Sequence, residues 1–346
     1  RISGAIVQDL VQSSLLALGI DVIDLGLSTT PTVEVAVPLE AANGGIILTA
    51  SHNPKQWNAL KLLNHKGEFV SGQDGADILK IADDEAFNFV EVDYLGTASK
   101  KDYLQIIGCG ASQGVPTPDG DWGNCKKNKK NIRTRSSVYL SLNNYKILFD
   151  TSPDLRFQLL ANNITEIDYV FFTHSHADHI FGINELRTFW IKNKKKIDIF
   201  STKQCIFYLK KYFDYLFKDN KNYPAVLKSN IIKSHINISN GKDKIRIERL
   251  DVKHGSTKTI GYKINNDIAY IPDVKTIPKK TIKKILNIKY LIIDCLWYNY
   301  HPSHFNLEAS LEVIRKCKPK KAILTNLSPV LDYKALKKVL PKNIIP

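Results

Sequence analysis

Apolar positions along this chain follow two rhythms. From Gly4 to Leu18 they recur at helical spacing, with Ile6, Val7, Leu10, Val11, Leu15 and Leu16 on or near one face. A short strand is predicted over 21–25, a helix over 31–43 and a buried strand over 45–48. Strand–helix alternation of this kind predicts a parallel α/β layer. From Asp102 onward the pattern turns to hairpins. Residues 137–150 hold two β-rich runs around Asn143-Asn144, and residues 261–271 repeat the device around Asn265-Asn266-Asp267. Further strands are predicted over 167–172, 244–253, 268–272 and 290–295, and helices over 276–286, 307–317 and 333–340. The change of rhythm places a boundary within Gly96-Thr97-Ala98-Ser99-Lys100-Lys101, giving domains over 1–98 and 102–346.

Charge sharpens the division. The net charge of +15 is uneven: residues 1–100 carry 6 Lys and Arg against 13 Asp and Glu, a net of −7, and the remainder 43 against 21, a net of +22. The basic part is rich in Lys, Asn and Ile, as in Lys126-Lys127-Asn128-Lys129-Lys130-Asn131, which favours a solvated basic surface over a dedicated nucleic-acid groove. Five scattered cysteines without a Cys-x-x-Cys clip predict free thiols in a reducing compartment. No stretch reaches the roughly 20 apolar residues that a spanning helix needs, and Arg1-Ile2-Ser3-Gly4 opens no leader-like segment. A cytoplasmic protein with no membrane partner is expected. The sequence contains no Met, which predicts a fragment of a longer reading frame.

The densest chemistry lies at Thr173-His174-Ser175-His176-Ala177-Asp178-His179, directly after the predicted strand 167–172. Two histidines two positions apart on an extended loop point the same way and can ligate one metal, while Asp178 and His179 can face a second. Imidazole and carboxylate together suit Zn²⁺, Mn²⁺ or Fe²⁺. Later strand ends add candidates: His254 after 244–253, Asp273 after 268–272, where a carboxylate can bridge two metals, and His301 and His304 after 290–295.

This set resembles the metallo-β-lactamase superfamily, and more narrowly its phosphoribosyl cyclic phosphate phosphodiesterase-like branch. The resemblance rests on His-x-His-x-Asp-His and on three segments, Gly108 to Pro116, Asp150 to Arg156 and His301 to Phe305; it covers nearly all of 102–346. It implies an αββα sandwich in which His174, His176 and His254 hold one metal, Asp178 and His179 the other, and Asp273 bridges. Two divalent ions, Zn or Mn, follow as cofactors. Asp178 and His304 are the implied catalytic residues, His304 as general acid to the leaving oxygen. The implied reaction is hydrolysis of a small cyclic phosphate or nucleotide-like ester by a metal-activated hydroxide. The family pattern has a ligand His where this chain has Ser328, so the second metal is expected to bind more weakly. The same ligand set serves endonucleases that trim tRNA 3′ ends, which makes RNA the runner-up partner, with the basic half in its favour. An inactive remnant is a third reading.

Residues 1–95 carry a different motif, Thr49-Ala50-Ser51-His52-Asn53-Pro54, after the buried strand 45–48. They resemble a partial α/β first domain of the phosphohexomutases (phosphoglucomutase, phosphomannomutase and phosphoglucosamine mutase). The resemblance makes Ser51 the phosphoserine position, with His52 and Lys61 nearby. The family's Asp-Gly-Asp metal loop has no counterpart within residues 1–95, and phosphoryl transfer depends on such charge neutralisation. Mutase activity is therefore not expected of this chain.

Overall fold

The computed structural model describes residues 4–26, 30–49, 59–100, 102–219, 223–239 and 244–346. Two units emerge, Arg1–Lys101 and Asp102–Pro346. In the first, helices Gly4–Ala17 and Thr30–Leu39 alternate with strands β1 (Val22–Asp24) and β2 (Gly45–Thr49). β2 pairs antiparallel with β3 (Ala59–Leu63), and β1 pairs in parallel with β4 (Ala98–Lys100). The expectation of a wholly parallel layer fails at β2–β3. The nine residues between Thr49 and Ala59 are too few for the crossover that parallel neighbours require. Helix Gly72–Asp83 is an element the apolar rhythm does not reveal; it begins with a reciprocal cap between Ser71 and Asp74. Val37, Ile47 and Leu63 form a small core. Ser51 and His52 lie outside the described residues. Lys61 sits in β3 with Nζ 5.5 Å from the centre of the Phe69 ring.

The second unit is built on two sheets. The first contains β5 (Tyr103–Gly108), β6 (Ser137–Leu142), β7 (Tyr145–Phe149), β8 (Tyr169–Phe171), β9 (Ile197–Ser201) and β10 (Leu227–Ile231), each beside its neighbour in sequence. The second runs in the same sequential order through β11 (His235–Ser239), β12 (Lys244–His254), β13 (Thr257–Ile264), β14 (Ile268–Ile271), β15 (Tyr290–Asp294), β16 (Lys321–Thr325) and β17 (Ile344–Ile345). The hairpins are where the Asn residues predict them. Asn143 and Asn144 both take left-handed backbone, φ 49° and 64°, which matches the twist of a two-residue turn.

The period of two along a strand sorts side chains into layers. Val138, Leu140, Ile147, Phe149 and Phe171 pack between the sheets against Ile245, Ile247, Ile260 and Tyr262. Tyr139, Leu148 and Val170 point the other way, onto a layer with Leu155, Leu159, Leu186, Phe189 and the buried Cys205. Outside the second sheet, Leu291, Ile293, Cys295, Ile314, Cys317 and Leu336 form the matching layer. The order is helix, sheet, sheet, helix. Strands buried on both faces are apolar throughout, which is why β14 and β15 show no polar alternation. Among the described residues no helix is long and apolar enough to cross a membrane.

Candidate metal centre

The carboxyl ends of neighbouring strands meet at one edge of the two sheets, and the chemistry gathers there. Thr173 and His174 follow β8, His254 ends β12, Asp273 follows β14, Asp294 ends β15 and Asn326 follows β16. Ligand atoms of His174, His176, His254 and Asp273 lie within 4.8 Å of one another, the one such group among the described residues. His174, His254 and Asp273 are buried, whereas His176 is exposed and opens the cluster to solvent.

The outer ring nitrogens are held from behind. His254 Nδ1 donates to the Ser303 carbonyl at 2.8 Å, and His179 Nδ1 donates to Asp150 Oδ2 at 2.9 Å. His174 Nδ1 lies 3.0 Å from Thr173 Oγ1, whose hydroxyl is itself 3.0 Å from Asp150 Oδ2. The carboxylate can only accept, so the threonine donates to it and accepts from His174. His174 and His254 therefore turn their inner nitrogen, Nε2, towards the cluster, the arrangement metal-ligating histidines use, while His179 Nε2 faces Asp273 Oδ1.

The buried atoms fit a cation. His174 Nε2 is buried without a hydrogen-bond partner. Burial, with His179 nearby, holds the His174 pKa well below the usual histidine range, so this nitrogen carries a lone pair at neutral pH. Burial would raise Asp273, yet His179 and His174 hold it well below the usual carboxylate range. Burial likewise opposes charge on His179, but Asp273, Asp150 and Asp178 push it well above the usual range.

On the other side of Asp273, its Oδ1 lies 3.3 Å from His179 Nε2, which is 3.7 Å from Asp178 Oδ2. His304 packs its ring 4.3 Å from that of His254, and its Nδ1 is 2.9 Å from Asp294 Oδ2. His301, whose ring is 5.2 Å from that of His304, stands outside the four-donor group. Ser328 is buried and its hydroxyl has no hydrogen-bond partner. The residue of that segment that reaches Asp273 is Asn326, whose amide nitrogen is 3.0 Å from Asp273 Oδ1. Sequence reading misses Asp150, Asp294 and Asn326. The signal for all three is position, since each closes a strand at the edge that carries the histidines.

The family model described as beta-lactamase superfamily domain matches residues 145–325, just over half of the chain. This chain belongs to that superfamily. Its second unit has the metallo-β-lactamase fold, and a diphosphatase from the PhnP family is similar in structure, with TM-score 0.64, 28% identity, and coverage of 71% of this chain and 94% of that one. An octanoyltransferase of Porphyromonas gingivalis is 29% identical over 227 residues, 64% of this chain and 45% of the relative. Residues 1–89 match the model of phosphoglucomutase/phosphomannomutase alpha/beta/alpha domain I. A probable phosphoglucosamine mutase of Pyrococcus horikoshii is 39% identical over 111 residues, 31% of this chain and 25% of that protein. The chain thus spans less than half the length of these two relatives.

Proposed function

We propose that residues 102–346 are a metal-dependent phosphodiesterase domain and that residues 1–98 are a partial phosphohexomutase domain without a part in its chemistry. The observation that carries this reading is the convergence of four ligand atoms around the partnerless, buried Nε2 of His174. The likeness of the fold to a diphosphatase supports phosphate chemistry.

In this reading His174, His176, His254 and Asp273 hold a divalent cation, Zn²⁺ or Mn²⁺, with Asp178 and His179 on the far side of Asp273. When bound, the cation polarises a phosphoryl oxygen and lowers the pKa of a water in the site. The rest falls to this chain's side chains. Asp178, partly exposed, accepts a hydrogen bond from the attacking water and orients it. Asp294 fixes the His304 ring through Nδ1, so that Nε2 is the atom that gives a proton to the leaving oxygen. Burial opposes charge on His304, but Asp294, Asp273 and Asp178 outweigh it and raise its pKa, so it retains a proton to give. The substrate expected is a small phosphate diester. The net charge of +22 on this half keeps RNA as a second reading.

The test is turnover of bis(p-nitrophenyl) phosphate by the whole chain with Mn²⁺ or Zn²⁺, beside Asp178→Ala and His176→Ala. Each variant should lose at least about 100-fold. Absence of metal-dependent turnover, or turnover indifferent to both substitutions, would sink the assignment. Affinity for RNA that falls steeply with salt would move it to the second reading.

A further inference from the structure

Asn326 bears on how many cations this centre takes. It is buried and follows β16 in left-handed backbone, φ 62°, a conformation asparagine tolerates better than most residues. Its Nδ2 lies 3.0 Å from Asp273 Oδ1, 3.1 Å from His304 Nδ1, 3.3 Å from Asp294 Oδ1 and 3.5 Å from the Pro272 carbonyl. The two closest oxygens belong to carboxylates. An amide oxygen in that place would face two acceptors, so the chemistry fixes the orientation of the group: nitrogen inward, one N–H for each carboxylate.

The two oxygens of Asp273 therefore have different surroundings. Oδ2 lies 3.5 Å from His174 Nε2 and 3.9 Å from His254 Nε2, on the side where the four donors converge. Oδ1 faces His179 and Asp178, and what the protein places beside it is the Asn326 amide. It adds a hydrogen-bond donor. An amide N–H cannot ligate a cation, and its partial positive charge lies against the oxygen that a second cation would need. Asp178 and His179 do not join the four-donor group.

We infer that this centre holds a single divalent cation, on His174, His176, His254 and Asp273 Oδ2, and that the amide of Asn326 occupies the place beside Asp273 Oδ1 that a second cation requires. The inference rests on the metallohydrolase reading above and deepens it. Asp178 and His179 are then left to orient water and substrate.

Metal stoichiometry tests this on the whole chain, stripped with chelator and reloaded with Mn²⁺ or Zn²⁺ alone. Elemental analysis after gel filtration and calorimetric titration should both give one equivalent, and the Mn²⁺ form should show the EPR spectrum of an isolated ion. Asn326→His should raise the count to two and give a spin-coupled Mn²⁺ pair. Histidine also tolerates left-handed backbone. If Asn326→His fails to fold by thermal melt, Asn326→Asp replaces the donor with a ligand oxygen and should likewise gain the second ion. Two equivalents of similar affinity in the unaltered chain overturn the inference and leave the metallohydrolase reading standing. Folded variants that still bind one also overturn it. No bound cation at all removes both.

Discussion

Asp150 shows how much of this centre depends on a residue that touches no substrate. Its carboxylate accepts from the Thr173 amide at 2.8 Å, from His179 Nδ1 at 2.9 Å and from the Tyr270 hydroxyl at 3.3 Å. Burial raises its pKa, and His179 opposes that rise. It stands in left-handed backbone, φ 59°, directly after β7, and this turn delivers the carboxylate to His179 directly and to His174 through the Thr173 hydroxyl. Asp150→Asn keeps the shape but replaces one acceptor oxygen with a donor. We expect a loss of about 10–100-fold in cation affinity, read by competition with a chromogenic chelator, with a smaller effect in a urea melt. Unchanged affinity would show that His179 and Thr173 are oriented by something else. At this scale the sequence is legible where ligands cluster. Three histidines and an aspartate between His174 and His179 announce a site. A lone Asp150 or Asn326 after a strand reads as ordinary turn chemistry, and only the assembled sheets show that they converge.

Among elements, the hairpins and the long helix at Leu307–Cys317 match their sequence signals residue for residue or nearly so. Helix Lys279–Lys284 is shorter than the apolar rhythm suggests because Pro278 holds the preceding residue out of helical geometry. Two joints invite measurement. β5 pairs with β6 through a register shift at Gly108, where an added Cβ would come within 1.9 Å of the Arg135 carbonyl. Since that contact is backbone, Gly108→Ala must move a strand. A loss of about 1–3 kcal/mol is expected in chemical denaturation; a neutral result would mean the bulge is free to shift. Asp332 caps helix Tyr333–Val339 through Ala335, and its Oδ2 accepts from Lys126 N and Asn131 Nδ2, tying the helix to the loop before β6. These hydrogen bonds overcome burial and hold its pKa down to about 2. A carboxyl lower in the folded than in the unfolded chain stabilises fully above its unfolded pKa of about 3.9, and that stability fades as pH falls towards the folded value. Asp332→Ala should cost about 1 kcal/mol at pH 7, with the gap between the two proteins closing below about pH 4. A gap that is constant down to pH 2 would contradict the assignment.

At the scale of the whole molecule, the charge asymmetry and the change of rhythm near residue 100 point to two pieces, and separate family models match residues 1–89 and 145–325. The strands and helices of the second unit were legible as apolar runs, and their layering was what the family resemblance implied. The parallel layer expected of the first was not, because strand direction depends on connection length more than on composition. The layers also set the fate of the thiols. Cys205 is buried outside the first sheet, and Cys295 and Cys317 outside the second. Burial pushes Cys205 and Cys295 up to about 12 and Cys317 to about 11. Thiols so protonated and covered do not meet iodoacetamide until their layer opens. The protein thus carries its own gauges of breathing, one face reported by Cys205 and the other by Cys295 and Cys317. Alkylation timed by mass spectrometry should show whether the faces open together at the rate of global unfolding. Cys205 reacting ahead of the other two would reveal that the sandwich comes apart from the side of its first sheet.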